Sequence, residues 1–132
     1  MATSSWLRIG TFILCIGLFG CERSPSFASD VKAIFDASCV ECHDNSAEGI
    51  ATSGFSMADY DGIMKGTKFG PVVVPGSSIS SSLYLVVAGK TSPEIQMPPQ
   101  HEEAWAKGRG NPLTDKQIEV IATWIDQGAQ NN

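Results

Sequence analysis

The hydrophobic positions of this chain form one apolar run near the N-terminus, then short helically spaced groups separated by polar, glycine- and proline-containing stretches. The leading run, Ile9 to Phe19, follows Arg8, which is the only charged side chain before Glu22. Its length suits an export signal and falls short of a membrane-spanning helix. From Asp30 the spacing becomes helical: Asp30 is placed to act as N-cap, and Val31, Ile34, Phe35 and Ser38 follow on one stripe. A polar, glycine-containing loop is expected from Asp44 to Gly54. Asp59 to Gly66 then reads as a short capped helix stopped by glycine.

The stretch Gly70-Pro71-Val72-Val73-Val74-Pro75-Gly76 has a β-rich centre bracketed by two prolines, which cannot donate to a ladder. An extended loop is therefore expected, with its valines facing the core or a bound cofactor. Ser80-Ser81-Ser82 leads into Leu83 to Ala88, closed by Gly89, which predicts another short helix; a buried strand is the alternative. The clearest helix is the last. Thr114 and Gln117 have capping-box spacing, Ile118, Ile121, Ala122 and Ile125 form an apolar face widened by Val120 and Trp124, and Gly128 ends the run. No internal repeat is present, and the pattern as a whole predicts an all-α domain of short helices.

Composition and charge narrow the partners. The chain of 132 residues carries a formal charge of -5 at pH 7 and no Lys/Arg cluster, so it offers nucleic acid no footprint. Leu18-Phe19-Gly20-Cys21 resembles a bacterial lipobox, with Phe19 in place of the usual small residue. This divides the chain into a lipoprotein signal peptide at 1–20, a tether at 21–29 starting at lipidated Cys21, and a domain at 30–132. The alternative is ordinary cleavage after Ala28, in the small-x-small site Ser26-Phe27-Ala28, which would release a soluble periplasmic protein.

The candidate chemistry lies in Cys39-Val40-Glu41-Cys42-His43. Cys-x-x-Cys-His is the attachment pattern of a c-type haem: two thiols one helical turn apart reach the two vinyl groups of one porphyrin, and the adjacent imidazole comes under the iron as a neutral ligand. A zinc half-site would want a second Cys/His pair downstream, and a thioredoxin-like pair would follow a strand in a βαβ pattern; the sequence has neither context. Cys15 leaves with the signal peptide and Cys21 is lipidated or also removed, so no thiol remains for a disulfide. A haem would also add apolar burial to a domain too small for a large core.

An electron-transfer haem needs a second axial ligand. Met97 is the best candidate, because Pro98 and Pro99 hold a stiff, extended backbone suited to presenting one side chain from a loop. Met57, Met64 and His101 are the competitors; the methionines lie on or beside a short helix and read as core filling, and His101 reads as a solvated loop residue.

The order of Cys-x-x-Cys-His, Gly54-Phe55-Ser56-Met57, Met64-Lys65-Gly66, Gly70 to Gly76, Met97-Pro98-Pro99 and Thr114 to Ala129 resembles the planctomycete-type cytochrome c domain, most closely at the ending Trp124 to Ala129. The resemblance implies a class I cytochrome c fold of short helices around one covalent haem c. It also implies thioether bonds at Cys39 and Cys42, His43 as proximal and Met97 as distal axial ligand. Gln100 to Asn111, with His101 and Trp105, is longer than the family's loop, and is expected to alter access to the haem edge or to serve a partner.

The function expected is single-electron transfer between envelope redox proteins by a lipid-anchored, monohaem domain that is a carrier or accessory subunit rather than an enzyme. No Ser/His/Asp grouping can be assembled, and Asp59, Asp61, Glu102 and Glu103 read as caps and solvated charges. The alternatives are a haem-based sensor whose Met97 is displaced by a small ligand, and an interaction module whose haem is chiefly structural.

Overall fold

The computed structural model describes residues 23–45, 48–108 and 110–132. The apolar run 9–19, Cys15 and Cys21 lie outside the described residues. The described chain is helical, with no strand and a single isolated bridge between Thr67 and Gly70. None of its helices is long and apolar enough to cross a membrane.

The domain begins earlier than the sequence pattern implied. Ser26, not Asp30, is the N-cap of the first helical segment, a π-turn Phe27–Val31 that runs directly into α1 (Lys32–Ser38). Asp30 sits inside the first turn, where its carboxylate accepts the Ser26 N–H at 2.8 Å and pairs with Arg23 at 2.8 Å. The reason is Phe27, which is only 4% exposed and packs against Tyr60 (centroids 5.1 Å apart) and Trp124 (5.6 Å). Residues 26–29 thus belong to the packed domain and not to the tether.

The helix α7 (Asp115–Asp126) is the backbone of the core. Thr114 and Gln117 form the expected capping box, and Ile121, Trp124 and Ile125 are buried against Val31, Phe35 and Phe27 of the N-terminal segment. The Trp124 Nε1–H donates to the Gln130 carbonyl at 2.9 Å and the Tyr60 hydroxyl to the Ala129 carbonyl at 2.8 Å, so both buried polar tips are satisfied.

The short helices are fixed by local caps. In α4 (Tyr60–Lys65) the Asp59 carboxylate accepts the Gly62 N–H at 2.7 Å. Gly66 follows with φ 77°, where a Cβ would come within 2.5 Å of the Gly70 carbonyl, so the turn back toward Gly70 requires glycine. Residues 70–76 are an extended loop as expected. Val73 is buried and Val72 half-buried, but Val74 is exposed and does not face the interior. The loop is tied to α7 by the Gly76 N–H on the Ile125 carbonyl (2.8 Å), and Asp126 receives both the N–H and the hydroxyl of Ser78. α5 (Ser82–Val87) then buries Leu83 and Val87.

Two further helices fall in stretches expected to be loops: α3 (Glu48–Ser53) within Asp44–Gly54, and α6 (Glu102–Ala106) within Gln100–Asn111. α6 is capped by His101, whose Nδ1 accepts the Ala104 N–H at 3.3 Å, an unusual cap that sequence preference does not flag.

Candidate haem site

The Cys-x-x-Cys-His segment forms its own tight turn. α1 ends where the Cys39 N–H donates to the Phe35 carbonyl at 2.8 Å, and α2 (Val40–His43) starts at once. The Cys39 carbonyl accepts from both Cys42 (3.1 Å) and His43 (3.0 Å), which closes the turn that carries the two thiols and the imidazole. The His43 carbonyl in turn accepts the Met57 N–H at 2.7 Å, so the segment after α3 is laced to the histidine, and the Phe55 ring lies 5.5 Å from the imidazole.

The electrostatics suit ligation of a soft metal centre by neutral groups. Burial lowers the His43 pKa below its ordinary value, with the Phe55 backbone pulling the other way, so the imidazole is held in the neutral form that binds iron. Its Nδ1 is buried with no hydrogen-bond partner. Burial first and the neighbouring Cys42 second push the Cys39 thiol up to about 12. Both cysteines are free and partly exposed, and a thiol so raised is the reverse of the activated thiolate that a redox pair or zinc site needs. Among the described residues no group of three or more His, Cys, Asp and Glu side chains is placed to hold a metal ion by itself.

A cleft of ≈ 660 Å³ opens beside this turn, within the roughly 300–1,000 Å³ usual for ligand and cofactor pockets. Cys39, Cys42, His43 and Met97 all line it, and its apolar walls include Phe55, Val72, Leu83 and Val86. Met97 is brought there by its own N–H, which donates to the Val86 carbonyl at 3.1 Å, with Pro98 buried behind it. The thiol pair, the neutral imidazole with its orphaned nitrogen and the apolar walls fit a covalently held porphyrin.

The competing residues are placed differently. Met57 also lines the cleft but is 4% exposed, belongs to the core and is pinned by its backbone to the His43 side. Met64 packs half-buried against the core from α4 and does not line the cleft, and His101 is spent on capping α6. Val72 is one of the valines expected at the core or a porphyrin, and it lines the cleft; sequence reasoning missed Phe55, Leu83, Val86 and Gly110, of which only Phe55 carried a signal, in its Gly54-Phe55-Ser56-Met57 context.

The family model described as Planctomycete cytochrome C matches residues 39–101, from the first thiol to the cap of α6. This segment is similar to the planctomycete cytochrome c domain. For residues 39–101 the match supports a c-type cytochrome domain, a family in which haem c is covalently attached. The match is narrower than the sequence resemblance, since the rest of the α6 loop and α7 lie beyond it. No curated protein matches the chain. Among solved structures it is similar to a Kuenenia stuttgartiensis hydrazine synthase, at 24% identity and a TM-score of 0.52, over 83% of this chain and 17% of that one. The chain therefore spans about a sixth of that protein, and the likeness supports an all-α cytochrome c-like fold.

Proposed function

We propose that this cytochrome is a monohaem electron carrier of the cell envelope, anchored by lipid at Cys21. The observation that carries the reading is the convergence of Cys39, Cys42, His43 and Met97 on one cleft beside the only Cys-x-x-Cys-His of the sequence. Cys39 and Cys42 would hold the porphyrin by thioether bonds, and His43 and Met97 would supply the ligands to its iron. Haem c held by these residues would supply a one-electron ferric/ferrous couple. Met97 as a ligand would give a relatively high potential among c-type haems. Envelope redox proteins are the partners, in keeping with an acidic surface that offers nucleic acid nothing.

Export is supported by the leading apolar run, and processing upstream of Ser26 by the burial of Phe27, which cleavage after Ala28 would remove from the core. The lipid-anchored form is therefore preferred to the soluble one.

The deciding experiment is spectroscopic, on holoprotein made with a haem-attachment system. One haem per chain should survive acid extraction, the ferric form should show the near-infrared thioether-to-iron band, and the ferrous form should resist carbon monoxide. A potentiometric titration should follow a single one-electron step. Rapid carbon monoxide binding would favour the sensor reading instead.

A further inference from the structure

Gly110 is buried with φ 92°, and a Cβ built on it would strike the Pro99 carbonyl oxygen and approach the Trp105 indole at 2.8 Å from Cδ1 and 3.0 Å from Nε1. The backbone at 110 is thus inserted between the end of the Met97-Pro98-Pro99 segment and the ring of α6. Only glycine has the shape and the conformational freedom for that place. Gly110 also lines the cleft, as do Met97, Pro98 and Pro99.

The loop that carries Trp105 is anchored at both ends. His101 caps α6, Ala104 is buried at 5% exposure, and Leu113, just past the loop, is part of the core. Trp105 itself is 58% exposed, and its covered edge lies against Gly110. What it covers is the junction of Gly110 with Pro99.

We propose that Gly110 and Trp105 are positioning residues for Met97. The Met97 segment is held from the N-terminal side by its N–H on the Val86 carbonyl and from the C-terminal side by Gly110, clamped under Trp105 against Pro99. The long loop of α6 is accordingly a strap that fixes the distal side chain at the cleft and lowers the population in which it swings away. This rests on the reading of Met97 as distal ligand. Opening of the distal position is a population effect, so a loosened strap shows up as faster capture of an external ligand in proportion to the open fraction.

The test uses holoprotein carrying Gly110→Ala, Trp105→Ala or Trp105→Phe, with Ile79→Ala as control, a 75% exposed residue outside the cleft lining. Gly110→Ala and Trp105→Ala should keep covalent haem and native helical content, yet weaken the near-infrared band, lower the midpoint potential and bind carbon monoxide at least about tenfold faster when ferrous. Trp105→Phe should recover most of the wild-type behaviour, and Ile79→Ala should not differ from wild type. If Gly110→Ala fails to accumulate as folded holoprotein, Trp105→Ala decides the matter alone. A wild type that shows the band together with a Trp105→Ala variant unchanged in band, potential and carbon monoxide binding would overturn the strap and leave the ligand reading intact. Equal losses in Ile79→Ala would also overturn it, since the effect would be general loosening. A wild type without the band and open to carbon monoxide would remove the ligand reading, and the strap with it.

Discussion

The hydroxyl of Ser26 donates to the backbone carbonyl of Asn132 at 2.7 Å, joining residues 106 positions apart in sequence. Around that bond the Ala28 N–H donates to the same carbonyl at 3.0 Å, and the Phe27 N–H donates to the Asn132 side chain at 2.9 Å. Asn132 therefore clasps Ser26, Phe27 and Ala28, all of which a cut after Ala28 would discard. A form starting at Ser29 should be less stable than one starting at Cys21 by about 3–5 kcal/mol, the usual cost of removing a buried Phe, and Phe27→Ala should reproduce most of that loss in chemical unfolding. Mass spectrometry of the mature protein should find Phe27 retained and a diacylglycerol mass on Cys21, absent in Cys21→Ser. A free N-terminus at Ser29 in a fully stable protein would refute both.

Asp30 makes the same corner sensitive to acid. Its carboxyl is held below the ordinary 3.8 chiefly by the Ser26 backbone N–H, which outweighs the opposing effect of burial, with the charge of Arg23 contributing next. A depressed carboxylate pKa stabilises the fold above the unfolded value and ceases to do so as pH falls through the folded one. Asp30→Asn should therefore lower the thermal midpoint at neutral pH, and the gap to wild type should close below pH 3.8. A gap that stays constant down to strong acid would show that the side-chain amide, rather than the charge, matters there.

What the sequence made legible is what local chemistry decides. Asp59 and Thr114 are strong caps followed by apolar spacing, and α4 and α7 begin where those residues say. The thiols and His43 announce themselves at fixed spacing. Phe27 did not, because a lone aromatic among Ser, Pro and Ala has no periodicity; its burial depends on Trp124 and Asn132, about a hundred residues away. α6 was hidden by its histidine cap, and the cleft walls by their origin in three separate segments around Phe55, Val72 and Val86.

Removing the attachment chemistry should cost the fold as well as the cofactor. With Cys39→Ala and Cys42→Ala together, the apolar walls at Phe55, Val72, Leu83 and Val86 would face a water-filled cleft of ≈ 660 Å³. Little else in so small a domain can compensate. The double variant should lose most of its helical circular dichroism or melt well below the holoprotein. Native helicity and an unchanged melting temperature would show that haem is dispensable for folding.

Met97 and Met57 line the same cleft, and their different burial separates a ligand from a packing role. Met97 is 36% exposed and Met57 is 4% exposed with its N–H on the His43 carbonyl. Met57→Ala should cost about 2–5 kcal/mol of unfolding free energy, as for other buried methionines, while the near-infrared band and resistance to carbon monoxide persist. Met97→Ala should do the opposite: stability should change by less than about 1 kcal/mol apart from the lost iron bond, since a partly exposed side chain leaves little cavity. Its ferric band should vanish, its potential should fall, and its ferrous form should bind carbon monoxide while the haem stays attached. The two profiles exchanged would move the ligand role to Met57, on the side of the cleft that His43 already occupies.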